Sequence, residues 1–310
     1  MRRLLTASIA AGVAAFGLLA GTGPAEGTFP GPNGRIVFQA DNGHGFELYT
    51  IRPDGTRLHR LTHLRADALQ ADWSPGGRRI AFDIEGRHGR ADLAVMRADG
   101  SHRHVLRSGQ FRVQPAFTPD GHHLLYECDC HPQGIFIMRA DGSNRHRVTT
   151  HAFPDEGDSD PNISPDGHTV TFVRHKVDGE LQALYAVSPS GSHVRQLVPY
   201  EREVAIKHDW APDGRHIVIT VDADYPSGRS PNVATIRSDG SGYHQLTHFT
   251  GGTRGAFAGS YSPDGRWIVY RVENLEQESY RMVKVHPDGT GRTLIARLPF
   301  SPRGMDWGPR

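Results

Sequence analysis

Cysteine is almost missing from this sequence. The 310-residue chain has two, Cys128 and Cys130, so no framework of several disulfides holds it together. An excess of one charge sign is missing too: 35 basic residues face 34 acidic ones, which leaves no electrostatic case for nucleic acid or for a strongly anionic surface. Beyond Ala20 no long apolar run occurs, and this excludes a membrane-spanning helix from the body of the chain. Helical periodicity is also lacking, so the body reads as one all-β domain.

What is present is a repeat. Trp73-Ser74-Pro75-Gly76-Gly77 returns as Phe117-Thr118-Pro119-Asp120-Gly121, Ile163-Ser164-Pro165-Asp166-Gly167, Trp210-Ala211-Pro212-Asp213-Gly214 and Tyr261-Ser262-Pro263-Asp264-Gly265, with a shortened copy at Trp307-Gly308-Pro309. Proline presets φ at the first central turn position, Asp tolerates the second, and Gly supplies the left-handed residue. Apolar runs such as Ile80-Ala81-Phe82 and Ile217-Val218-Ile219 follow each turn as strands. Pro75, Pro119, Pro165, Pro212, Pro263 and Pro309 are spaced by 44, 46, 47, 51 and 46 residues, the period of a propeller blade.

A second repeat runs in phase. Arg52-Pro53-Asp54-Gly55 is echoed by Arg97-Ala98-Asp99-Gly100 and Arg139-Ala140-Asp141-Gly142, with further copies ending at Gly191, Gly240 and Gly289. A short strand follows each, so one period holds four strands and two tight turns. Asn33 to Phe38 matches only the second half of the first repeat, and Asp306 to Arg310 supplies the missing half. The expectation is a six-bladed β-propeller of four-stranded blades over residues 33–310, its ring closed by a C-terminal inner strand joining the N-terminal blade.

At the N-terminus, basic Met1-Arg2-Arg3, apolar Leu4 to Ala20 and small Gly23-Pro24-Ala25 read as a secretory signal peptide over 1–25, followed by a short lead over 26–32. The protein is therefore expected to be secreted or periplasmic, without a stable membrane span once processed.

The paired turns, Trp-Ser-Pro-Asp-Gly and Asp-Gly, resemble the PD-type repeat of TolB-like propellers. This resemblance covers nearly all of residues 33–310. It implies an extracytoplasmic protein that binds other proteins and has no catalytic activity of its own. TolB carries an α/β domain before its propeller, whereas here the signal peptide is read as running straight into the first blade.

Both tight turns of every blade fall on one face. The variable connections fall on the other, where function is expected. Three constellations stand out there. Glu127-Cys128-Asp129-Cys130-His131 offers either a Cys-x-Cys disulfide or, with His131, a transition-metal site, against the plainer reading of a loop staple. His44, His88, His131 and His175 occupy four successive middle-strand loops, with His63, His151 and His248 ending outer strands; in a chain of 19 histidines the plainer reading is solvated surface. The acidic run Asp155-Glu156-Gly157-Asp158-Ser159-Asp160, beside Asp72, Asp209 and Asp306, offers Ca²⁺ ligands at the channel mouth, against a structural reading in which these carboxylates hold backbone amides. The metal candidates are thus His131, Cys128, Cys130, Asp155, Asp158 and Asp160, with Ca²⁺ or a transition metal as the ion and no other cofactor. The four tryptophans read as inter-blade core.

No Gly-x-Ser-x-Gly elbow is present, which counts against a prolyl-oligopeptidase-like peptidase. The sequence therefore reads as a monomeric, non-catalytic scaffold that binds a protein or glycan of the cell envelope. Asp72, Asp160, His208, Asp209, Arg254, Arg303 and Asp306 are the expected contacts. The alternative is a metal-dependent polysaccharide lyase or glycosidase with its site at the channel mouth.

Overall fold

The repeated turns close alike. Gly77 N donates to Ser74 O at 2.8 Å, and Gly121, Gly167, Gly214 and Gly265 make the same bond to Thr118, Ser164, Ala211 and Ser262 at 2.8 to 2.9 Å. Gly77 holds φ at 62°, a left-handed value that a side chain would strain. In the second turn the work falls to Asp: Oδ1 of Asp54, Asp99, Asp141, Asp239 and Asp288 accepts the amide two residues on, at 2.8 to 2.9 Å.

The computed structural model describes residues 29–86, 90–106, 111–130, 133–150, 156–176, 181–205, 207–222 and 229–310. The proposed signal peptide lies outside them. The turns join strands into six antiparallel four-stranded sheets, the blades of a propeller. Written from the channel outward, blade 2 is Asp67–Trp73, Arg79–Gly86, Arg90–Arg97 and His104–Leu106, and blade 3 is Arg112–Phe117, His123–Cys128, Gly134–Arg139 and His146–Arg147. Blade 4 is Glu156–Ile163, Val170–Lys176, Gln182–Val187 and Arg195–Val198; blade 5 is Asp209–Trp210, His216–Val221, Asn232–Arg237 and His244–Gln245. Blade 6 is Arg254–Tyr261, Ile268–Asn274, Ser279–Val285 and Thr293–Leu298. Blade 1 joins distant parts of the chain: Arg303–Pro309 pairs with Asn33–Asp41 through Asn33↔Pro309, Ile36↔Trp307 and Val37↔Asp306, and Phe46–Ile51 and His59–Arg60 complete it.

The core lies between blades. Trp210 of blade 5 packs with Val173 and Leu184 of blade 4, and Trp307 of blade 1 with Val269 and Met282 of blade 6. Burial of side chains of this size contributes on the order of 2–3 kcal/mol each. Trp267 packs against the same cluster as Trp307. It is only partly buried and stacks on His286 at 3.9 Å, with the Lys284 ammonium 4.9 Å from its ring.

Inner strands begin well ahead of their turn prolines. Asp67, Arg112, Glu156, Arg254 and Arg303 already start strands, so Glu156–Asp160 is strand and not an acidic loop. These strands are rich in Gly, Ala, Gln and Asp because one face lines a narrow channel, and that composition hides the apolar alternation by which a strand is recognised. Gln70, Gln114, Asp160, Lys207 and Gly304 have φ of 47°, 54°, 48°, 78° and 51°. The ladder slips in register beside several of them, as between Leu69 and Asp72, Val113 and Ala116, and Ser159 and Asn162. These bulges turn the next residues toward the neighbouring blade.

Candidate functional site

Three residues before each turn proline, every inner strand presents one side chain to the next blade. The six are Asp72, Ala116, Asn162, Asp209, Ser260 and Asp306. Asp306 Oδ2 accepts Trp73 N at 2.7 Å, Asp72 Oδ2 accepts Phe117 N at 2.7 Å and Asp209 Oδ2 accepts Tyr261 N at 2.9 Å. Ser260 Oγ accepts Trp307 N at 2.7 Å, and Asn162 Nδ2 donates to His208 O and Asp209 Oδ1. Ala116 can do none of this, and the Ile163 amide that it would serve donates to Asn162 Oδ1 at 2.7 Å instead. The acidic residues beside the aromatics are thus latches between blades.

A second tier lies nearer the variable face, at the bulges. Gln114 N donates to Asp83 Oδ1 at 3.0 Å, Asp160 N to Gln114 Oε1 at 2.5 Å, and Ala258 N to Thr220 Oγ1 at 2.9 Å. Asp160 Oδ2 accepts Lys207 N at 2.6 Å and lies 3.0 Å from His208 Nδ1, while His208 Nε2 is 2.8 Å from Thr171 Oγ1. Trp210 Nε1 donates to that hydroxyl at 2.9 Å, so one tautomer satisfies the chain: Nδ1–H donates to Asp160 and the Thr171 hydroxyl donates to Nε2. The order hydroxyl, imidazole, carboxylate is that of a nucleophilic triad. Here it is locked, because Thr171 and His208 are 0% and 1% exposed and the hydroxyl already has both partners.

Lys207 stands among these carboxylates. Burial pulls its ammonium down, but Asp306, Asp209, Asp72 and Asp160 together outweigh this and raise it. Burial, then Asp306, pushes Asp72 well above the usual carboxylate range, and burial raises Asp306 against the pull of Lys207. Burial also opposes ionisation of Asp160, yet the hydrogen bond with His208 holds that group low. Little room is left beside them. A cavity of about 20 Å³ lies among Gln70, Gln114, Asp160 and Lys207, and one of about 10 Å³ among Asp72, Asp209, Asp306 and Phe29. A single water needs about 10–15 Å³ by this measure. Phe29, 7% exposed, lines the smaller cavity from the N-terminal lead, and Gly31 N donates to Pro263 O beside it.

Of the seven expected contacts, four are therefore interior, Asp160, His208, Asp209 and Asp306 being each 9% exposed or less, and Asp72 is partly buried. Arg254 and Arg303 are exposed at the loop-face starts of their strands, over the rings of Phe249 and Phe46 at 5.6 and 5.8 Å. Asp158 gives both carboxylate oxygens to Arg174, at 2.7 and 3.0 Å. Cys128 and Cys130 are bonded to each other, with Cα atoms 5.1 Å apart. His131, Asp155, His88 and His151 lie outside the described residues. Among the described residues no three His, Cys, Asp or Glu side chains are grouped to hold a metal ion.

Asp83 is not among the residues expected from the sequence to carry function, and Glu127 enters there only as a neighbour of the cysteines. Asp83 is fully buried, and its Oδ2 has no hydrogen-bond partner. Burial, aided by Glu85 and Glu127, pushes it up to about 8. Burial likewise pushes Glu127 up to about 7, although Gln133 Nε2 donates to it at 2.6 Å. A polar residue inside an otherwise apolar second strand was the only signal for either.

Known proteins share this architecture. TolB from Acinetobacter baumannii superposes with a TM-score of 0.71 at 20% identity, over 89% of this chain and 67% of that one. The fold is that of a TolB-like six-bladed propeller. An oligogalacturonate lyase from Vibrio parahaemolyticus superposes at TM-score 0.57 and 10% identity, over 86% of this chain and 73% of that one, a likeness of fold alone. In sequence, the chain is 25% identical to an uncharacterised peptidase of Bacillus subtilis over 54% of its length, and 27% identical to an uncharacterised protein of Agrobacterium fabrum over 67%. It spans 30% and 64% of those two relatives. Identity to the Tol-Pal system protein TolB of Anaeromyxobacter dehalogenans is 31% over 36% of this chain and 24% of that protein. No protein-family model matches the chain.

Proposed function

We propose that this protein is an extracytoplasmic, non-catalytic scaffold that captures a protein or glycan of the cell envelope on its variable face and channel rim. One observation carries the reading: the channel carboxylates are committed to blade-to-blade hydrogen bonds, and the space beside them is about 10 to 20 Å³. Chemistry on a sugar or peptide needs a pocket of several hundred Å³. At the loop-face end of the channel what remains accessible is the rim, where Arg254 and Arg303 stand on rigid strands. A rim fixed by six blades loses little conformational freedom when it engages a partner, and side chains on the loops then decide which partner fits.

The test is capture of envelope components by immobilised protein lacking residues 1–25. Arg254→Glu with Arg303→Glu is expected to remove the captured species without lowering the melting temperature. Undiminished capture by that double variant would sink the rim reading.

The second reading, an enzyme at the rim, draws on Glu127. A carboxyl pushed up to about 7 suits a general acid. Turnover of an acidic polysaccharide that is lost in Glu127→Gln would favour it over the scaffold.

A further inference from the structure

The turn face carries a cleft of about 890 Å³ that the reading above does not use. It lies between blades 1 and 2, and Arg35, Arg52, Arg57 and Arg310 line it. Arg35 Nη1 donates to Thr50 Oγ1 at 3.2 Å, and none of the four guanidiniums is ion-paired with a described residue. Two side-chain carboxylates share the lining, Asp54 and Asp99, but each is turned onto its own turn. Asp54 Oδ1 accepts Thr56 N and Oγ1 at 2.9 and 2.6 Å, and Asp99 Oδ1 accepts Ser101 N at 2.9 Å. Trp73 also lines the cleft; it is 4% exposed, and its indole Nε1–H has no acceptor.

Guanidinium groups only donate, so the unfilled bonds of this cleft ask for an acceptor-rich, anionic ligand. The rest of the lining selects among anions. Leu58, 45% exposed, stands with Leu61 and Pro53 as an apolar wall. The indole of Trp73 is closed to a stacking sugar, covered by Gly308, whose hypothetical Cβ would lie 2.4 Å from it, so the exposed imidazole of His59 is the one aromatic ring open in the described lining. We propose that this cleft binds an acidic peptide segment, with carboxylates on Arg35, Arg52 and Arg57 and an apolar side chain against Leu58. The proposal is independent of the rim reading, because it concerns the opposite face.

The experiment is fluorescence anisotropy of a labelled peptide of alternating Glu and Leu, with a Lys-Leu peptide as control. Saturable binding of the Glu peptide that weakens with added salt is expected. Arg52→Glu with Arg57→Glu should weaken it at least about tenfold while leaving the melting temperature unchanged, and Arg254→Glu with Arg303→Glu should leave it intact. Binding should also shift tryptophan emission, and Trp73→Phe should remove that shift. The proposal is overturned if the Lys peptide binds equally, if Arg52→Glu with Arg57→Glu binds as the parent does, or if an anionic oligosaccharide or inorganic phosphate displaces the peptide at lower concentration than unlabelled peptide.

Discussion

Asp306 Oδ2 accepts the backbone amide of Trp73 at 2.7 Å, across 233 positions of sequence. The bond ties the C-terminal strand of blade 1 to blade 2, beside the Asn33–Pro309 ladder that closes the ring without a covalent link. Asp306→Ala leaves that buried amide unpaired, which costs about 1–3 kcal/mol. At roughly 2–4 °C per kcal/mol the melting temperature should fall by roughly 2–12 °C. Asp306→Asn keeps an acceptor oxygen and should fall less. Thermal unfolding followed by circular dichroism decides, and equal melting of the Ala variant and the parent would remove the latch assignment.

Asp83 sets a pH dependence of the opposite sign to an ordinary ion-paired carboxylate. With its pKa at about 8 in the folded protein against roughly 3.9 unfolded, the folded state holds the extra proton between those values. Its contribution to stability is complete below the unfolded value and is lost as pH rises through about 8. Glu127, at about 7, adds to the same slope. Asp160, held low, works the other way and loses its contribution on acidification. The melting temperature should therefore decline between pH 5.5 and 8.5. Asp83→Asn, which keeps the acceptor for Gln114, should flatten that decline; an unchanged slope would show that Asp83 is already ionised in the fold.

Thr171 should behave as a structural hydroxyl. Thr171→Val strands both Trp210 Nε1 and His208 Nε2 in the interior, and about 1–3 kcal/mol should be lost. Thr171→Ser restores the hydroxyl and should recover most of it. Mass spectrometry after treatment with a hydroxyl-directed acylating reagent should find Thr171 unmodified in the folded protein, and labelling there would reopen the triad reading.

The blade number and the closure through Pro309 were legible because turn chemistry is local: Pro and Gly mark each corner whatever surrounds them. The latch ring was half legible. Asp72, Asp209 and Asp306 show their likeness beside tryptophan or its equivalent, but Asn162, Ser260 and Ala116 conceal the shared position, which appears only when the copies are aligned on the turn proline. The direction of those side chains was not legible at all. It depends on left-handed residues such as Gln70 and Gln114, types that ordinarily avoid that conformation and accept it here because the neighbouring blade supplies the bonds. The raised pKa of Asp83 and of Glu127 was hidden for a related reason, since burial by a second blade is invisible within one repeat.

Gly308 lets two blades approach. A Cβ built there would stand 2.4 Å from Trp73 Cγ, against a ring that cannot swing away. Gly308→Ala should cost at least about 1–3 kcal/mol and lower the melting temperature accordingly. Trp73→Leu in the same chain should relieve part of the loss; no relief would place the effect in the Gly308 backbone instead.

The pairing of Asn33 with Pro309 fixes how the ring yields to force. The chain enters one strand and leaves the other at the same end of the ladder, so tension applied through these two segments loads the Asn33–Pro309 end first and the Ile36–Trp307 pair next. The seam should part like a zipper, at low force and in small steps. A shear geometry would load all of its bonds at once. A propeller tethered at that seam would give way before any of its other five blades, whereas one gripped through its loop face would bear load across whole sheets.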